Sequence, residues 1–178
     1  MSRTSVIKLH ALAVLVVLAT CSKDDTPGCP KPSAQNLLTN AGFDTNVDNM
    51  CLFGGLQWTN EDADSCSSSG SAMAATPSGC PTQCVSVKPG TTYTFGGVFK
   101  STKGRYVCYA SAWKGPGCGT EDVTAGTLGL LEGTEASWTR HQVQWQMPAQ
   151  AESLRINCEA PEGTHFDKLF LSPSPGDF

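Results

Sequence analysis

An all-β antiparallel sandwich stapled by disulfides is the fold class this sequence predicts, on three observations. Apolar residues recur at every second position in several short runs, the period of a strand with one buried face. Each run is bounded by Pro or Gly, which limits the strands to short, turn-connected segments. Nine cysteines in 178 residues suit an exported chain that folds outside the reducing cytosol. Helical periodicity is nearly absent, with Leu128 to Glu135 the one weak candidate.

Residues 1–20 read as a signal peptide. Arg3 and Lys8 supply the positive flank, and Ala11 to Ala19 is an apolar core too short to cross a bilayer as a stable helix. Leu18-Ala19-Thr20-Cys21 resembles the lipobox of bacterial lipoproteins, which implies acylation of Cys21 as the mature N-terminus and a firm lipid anchor. Thr20 departs from that pattern, which prefers Gly, Ala or Ser. Ser22 resembles the outer-membrane sorting pattern of Gram-negative envelopes. The alternative is an ordinary signal peptide with a chance cysteine and a secreted product.

Residues 21–35 are polar and Pro-rich and suit a tether. Residues 36–178 then form one domain; removal of the first 20 leaves 158 residues, enough for a single core. The net charge of −4 is mild and unclustered, which argues against nucleic acid or an anionic membrane surface as partner. No second apolar stretch is long enough to span a membrane, so membrane contact is expected through the lipid alone, and the domain is expected to be a monomer.

With Cys21 lipidated, eight cysteines remain: Cys29, Cys51, Cys66, Cys80, Cys84, Cys108, Cys118 and Cys158. An even number in an exported chain reads as four disulfides, in any of 105 pairings. A zinc site on Cys80-Pro-Thr-Gln-Cys84 lacks a second close pair, and His10, His141 and His165 sit at no matching interval.

The stretch from Asn60 to Gly79 reads as loop. Lys88-Pro-Gly-Thr91 carries Pro then Gly at the centre of a type II turn. Thr92 to Lys100 then puts Tyr93, Phe95 and Phe99 on one face. Arg140 to Met147 places Val143, Trp145 and Met147 opposite Arg140, Gln142, Gln144 and Gln146. Leu154, Ile156 and Cys158 alternate with Arg155 and Asn157, and Phe166 to Leu171 is a final strand.

Five segments in order carry a resemblance. They are Asn36-Leu-Leu-Thr-Asn-Ala-Gly-Phe-Asp44, Leu56-Gln-Trp58, Val87-Lys-Pro-Gly-Thr-Thr-Tyr-Thr-Phe95, Ser137-Trp-Thr-Arg140 and Phe166-Asp-Lys-Leu-Phe-Leu171. Together, over about residues 36 to 172, they resemble the β-jelly-roll carbohydrate-binding modules of bacterial cellulases and xylanases (families four, nine and twenty-two; galactose-binding-domain-like). The extra cysteines and Lys168, standing where the family carries a second aspartate, depart from that pattern. The resemblance implies a jelly roll, packing roles for Trp58, Tyr93, Trp138 and Trp145, and a carbohydrate ligand. It also implies a structural Ca²⁺ between Asp44 and Asp167, whose hard oxygens suit that ion.

Strand parity assembles the candidate ligand face. With the bulky residues inside, Gln142, Gln144, Gln146, Arg155 and Asn157 point outward. If Cys108 turns inward to meet a partner such as Cys158, then Tyr109, Ser111 and Trp113 join them. Two aromatics for stacking, with amides and a guanidinium for hydroxyls, match a sugar's apolar face and polar rim. The plainer alternative is a solvated sheet face on a structural or protein-interaction lipoprotein.

Catalysis is not expected. His141 has no Ser or Asp partner by spacing. Glu121, Asp122, Glu132, Glu135, Glu152, Glu159 and Glu162 lie in apparent turns without a glycosidase motif. No phosphate-binding Gly loop or zinc-protease motif occurs.

Overall fold

The computed structural model describes residues 35–50, 55–77, 79–119, 121–123 and 127–173. The signal peptide, Cys21, most of the tether, Cys29 and Cys51 lie outside the described residues. Ten strands and one 3-10 turn follow in order: β1 Leu56–Thr59, β2 Ser71–Ala74, β3 Thr82–Ser86, β4 Thr92–Lys100, β5 Tyr106–Lys114, the turn Pro116–Cys118, β6 Glu121–Asp122, β7 Leu130–Gly133, β8 Thr139–Gln146, β9 Ser153–Glu159 and β10 His165–Ser172. One sheet runs β1-β2-β10-β4-β8; the other runs β3-β9-β5-β6, with β7 also pairing to β5. Every strand pairing among the described residues is antiparallel. The expected all-β sandwich is therefore what forms, and the segment Leu128–Glu135 contributes strand β7 rather than a helix: Leu131 is buried opposite Cys108 while Leu130 faces solvent.

The period-two pattern places the core between the sheets. Tyr93, Phe95, Phe99, Trp145, Phe166 and Leu171 from one sheet meet Tyr106, Cys108, Ala110, Leu154, Ile156 and Cys158 from the other. Phe99 stacks on Tyr106 across the gap at 4.8 Å between centroids, and Phe95 on Trp145 at 5.0 Å. Val143 is half-buried against this cluster.

The opening motif is explained by its bonds. The side chain of Asn36 accepts from the amides of Leu38 and Leu171 and donates to the Leu169 carbonyl, sewing the segment onto β10. The chain turns through left-handed Asn40 and Phe43, and the Phe43 carbonyl accepts from the indole of half-buried Trp58 at 2.7 Å. Turn Lys88–Thr91 closes with Thr91 N donating to Lys88 O, with Gly90 at φ 69°.

One correction concerns packing. Trp138 is not a core residue; it is half-buried outside the β1-β2-β10-β4-β8 sheet, edge-on to His165 at 5.8 Å. The next residue, Thr139, pairs with inward-facing Phe99, so parity sends Trp138 outward, on the side of Lys100. The outward-facing stretch of β4 is also not solvated. Val98 is 4% exposed, and the Phe170 ring lies over Gly96.

Candidate functional site

The sandwich has two outer faces, and the topology divides the expected ligand residues between them. Gln142, Gln144 and Gln146 are exposed on β8, the edge strand of the β4 sheet, opposite Gly96, Thr94 and Thr92. Tyr109, Ser111, Trp113, Arg155 and Asn157 lie on the other sheet, in adjacent rows: Tyr109 opposite Asn157, and Ser111 opposite Arg155. The combined face of three glutamines beside two aromatics is therefore a correction. The glutamine ladder keeps an edge strand soluble, and polar side chains there oppose edge-to-edge pairing.

The second face is itself divided. At one end the chain leaves β5 and folds back over the sheet through Gly115, with the turn Pro116–Cys118 held by three contacts. Cys118 is bonded to Cys84 of β3. Ser153 Oγ donates to the Gly115 carbonyl at 2.7 Å and accepts from the Cys118 amide at 3.1 Å. Arg155 donates to the Cys118 carbonyl, and its guanidinium lies 4.6 Å from the Trp113 ring centroid. Cys118 and Ser153 are buried in consequence. Arg155 is thus committed to Trp113 and to the covering turn.

The other end stays open. Tyr109 is half-buried, with Leu130 beside it on the same face and 51% exposed. A polar chain rims this platform: Thr82 Oγ1 donates to Asn157 Oδ1 (2.6 Å), Asn157 Nδ2 to Tyr109 Oη (2.7 Å), and Tyr109 Oη to Glu159 (2.7 Å). Burial, reinforced by Glu159, pushes the Tyr109 phenol up, so it stays a donor at neutral pH. Beyond it Glu132 is ion-paired with Arg105. Sequence parity found Tyr109 and Asn157 but missed Leu130, which sat in the segment read as weakly helical.

The cysteines follow parity where they are described. Cys108 and Cys158 are bonded as directly opposed residues of β5 and β9, fully inside the core. Cys66 is disulfide-bonded, and Cys80 is buried with its sulfur 3.4 Å from Thr82 Oγ1.

The calcium expectation meets a different chemistry. Asp44 is exposed and accepts from Ser69 Oγ. Asp167 is fully buried, and its two oxygens accept the amides of Ala63 (3.0 Å) and Lys168 (2.7 Å). Burial pushes its carboxyl up to about 7, Asp62 and Asp44 adding to the rise and the two amides opposing it. Among the described residues no group of three or more His, Cys, Asp or Glu side chains is arranged to hold a metal ion.

One constellation was invisible in the sequence. Ser71 Oγ lies 3.1 Å from His165 Nδ1, and His165 Nε2 lies 3.6 Å from Glu61, which is also ion-paired with Lys100. The order resembles nucleophile, base and acid, but Ser71 is fully buried and its hydroxyl is shared with Thr59 Oγ1 at 3.1 Å. No substrate atom reaches it, so it is a structural network. His141 pairs with Glu135 at 3.3 Å, and Glu135 also accepts from Tyr106.

No protein-family model matches the chain, and no curated protein matches it in sequence. Solved structures with the same fold include a family 16 carbohydrate-binding module (20% identity, TM-score 0.60, covering 76% of this chain and 99% of that one). The C-terminal family 22 module of Clostridium thermocellum Xyn10B is another (16%, 0.56, 83% and 99%), as is TmCBM61, solved with β-1,4-galactotriose (15%, 0.53, 78% and 98%). The chain has the jelly-roll fold that these carbohydrate-binding modules share.

Proposed function

We propose that this chain is a non-catalytic carbohydrate-binding domain, and that its ligand sits on the open half of the β3-β9-β5 face. The observation that carries this reading is the Tyr109–Leu130 platform rimmed by Asn157 and Glu159, with buried Thr82 holding Asn157 in place. A flat apolar surface with donors and acceptors at its margin suits a sugar ring, whose faces are apolar and whose edge is hydroxylated. The fold shared with carbohydrate-binding modules supports the same class of ligand. Trp113 lies about 13 Å further along β5, at roughly 3.3 Å per residue, but Arg155 and the covering turn occupy that end. The contact region is therefore short. The proposal includes export, acylation at Cys21, and display at a bacterial cell envelope by a monomeric domain.

A glycan array with the full chain, repeated with Tyr109→Ala, tests the site. Binding that Tyr109→Ala abolishes supports the reading; binding that survives it refutes the placement. A second reading, a structural or protein-interaction lipoprotein, is favoured by the stapled turn over Ser153 and Arg155, which removes half of the sheet face from any glycan. Failure to bind any glycan selects it. Mass spectrometry of the mature N-terminus checks the anchor, and an unmodified start refutes it.

A further inference from the structure

The departure at Lys168 lies in a built pocket. β10 slips register between Asp167 and Phe170, and Lys168 in this bulge adopts φ 48°, a left-handed conformation uncommon for a residue with a long side chain. Such a backbone persists where the surroundings hold it. Here the bulge turns the lysine away from the ladder and into the loop between β1 and β2. Its Nζ is enclosed and ion-paired with Asp64. Asp62 is 7% exposed; its Oδ1 accepts the amides of Asp64 and Cys66, both at 2.8 Å. Its Oδ2 is enclosed and takes no hydrogen bond from a described residue. Asp64 thus pairs with an enclosed ammonium that the chain itself supplies, in the same loop as the half-satisfied carboxylate of Asp62.

We infer that Lys168 is the resident cation here, tying the 61–66 loop to β10 beside Asp167, where the sequence resemblance implies calcium. The ammonium neutralises Asp64 without a metal. A divalent ion entering beside it would meet a like charge at close range, which costs more in a buried setting than in water.

Calorimetric titration of the full chain with calcium chloride, paired with thermal unfolding in calcium and in chelator, tests this. We expect no binding heat and the same Tm in both solutions. Saturable calcium binding with a Tm raised by several degrees overturns it, because a ligand selective for the folded state must stabilise it. Lys168→Met and Asp64→Asn are each expected to lower Tm by several degrees, and the double variant by less than their sum. Lys168→Met with an unchanged Tm also overturns it. If that variant does not fold, the calcium titration of the unsubstituted chain still decides.

Discussion

The guanidinium of Arg155 lies 4.6 Å from the ring centroid of Trp113 while donating to the carbonyl of Cys118. One side chain therefore joins β9, β5 and the turn that covers them. Arg155→Ala removes a cation–π contact and a charged hydrogen bond, together about 2 kcal/mol. Urea unfolding should show that loss. Hydrogen exchange should quicken at Gly117 to Gly119 and stay unchanged at Phe95 to Phe99.

The Cys84–Cys118 bridge closes a loop with a sequence separation of 34. Chain-entropy arguments give such a loop about 3 to 4 kcal/mol. Replacing both cysteines by Ser should lower stability by up to that amount in chemical denaturation. It should also expose Trp113, read as a red shift in tryptophan emission.

Gly96 is required by contact. A Cβ there would meet the His141 carbonyl oxygen at 2.5 Å and the Phe170 ring at 2.7 Å. Gly96→Ala should destabilise the domain by about 2 kcal/mol, the ordinary range for forced overpacking. A midpoint of denaturation equal to that of the unsubstituted chain would refute the packing.

His165 gives a pH dependence of known sign. Burial holds its pKa below the ordinary 6.5, Glu61 opposing and Lys100 assisting. Between that depressed value and 6.5 the unfolded chain carries more protons than the folded one. The His165 contribution to stability therefore rises with pH through this window and is lost as pH falls through it, while Asp167, raised to about 7, contributes with the opposite sign over the same range. His165→Asn should flatten the stability profile just below pH 6.5, measured by thermal unfolding across buffers.

Much of the sandwich was legible because a strand's period of two survives in Thr92–Lys100, Arg140–Met147 and Leu154–Cys158 whatever their partners. Parity also allowed Cys108 to turn inward toward a partner such as Cys158, which is the bond that forms. What parity cannot carry is sheet membership. Gln144 and Tyr109 both point outward, yet one sits on β8 and the other on β5, in different sheets. Which strands pair is set by contacts between residues far apart in sequence, as in β4 with β8 and β5 with β9. The turn over Arg155 was equally hidden, since Cys84–Cys118 was one of many allowed pairings. The bulge at Lys168 leaves no mark in an alternating pattern; only the missing aspartate hinted at it.

The binding face is tested most directly by titrating the isotopically labelled protein with an array-selected oligosaccharide and mapping the amide shifts by NMR. The account predicts that perturbations cluster at Tyr109, Leu130, Asn157 and Glu159. Shifts confined to Gln142, Gln144 and Gln146, on the opposite side of the sandwich, would contradict it.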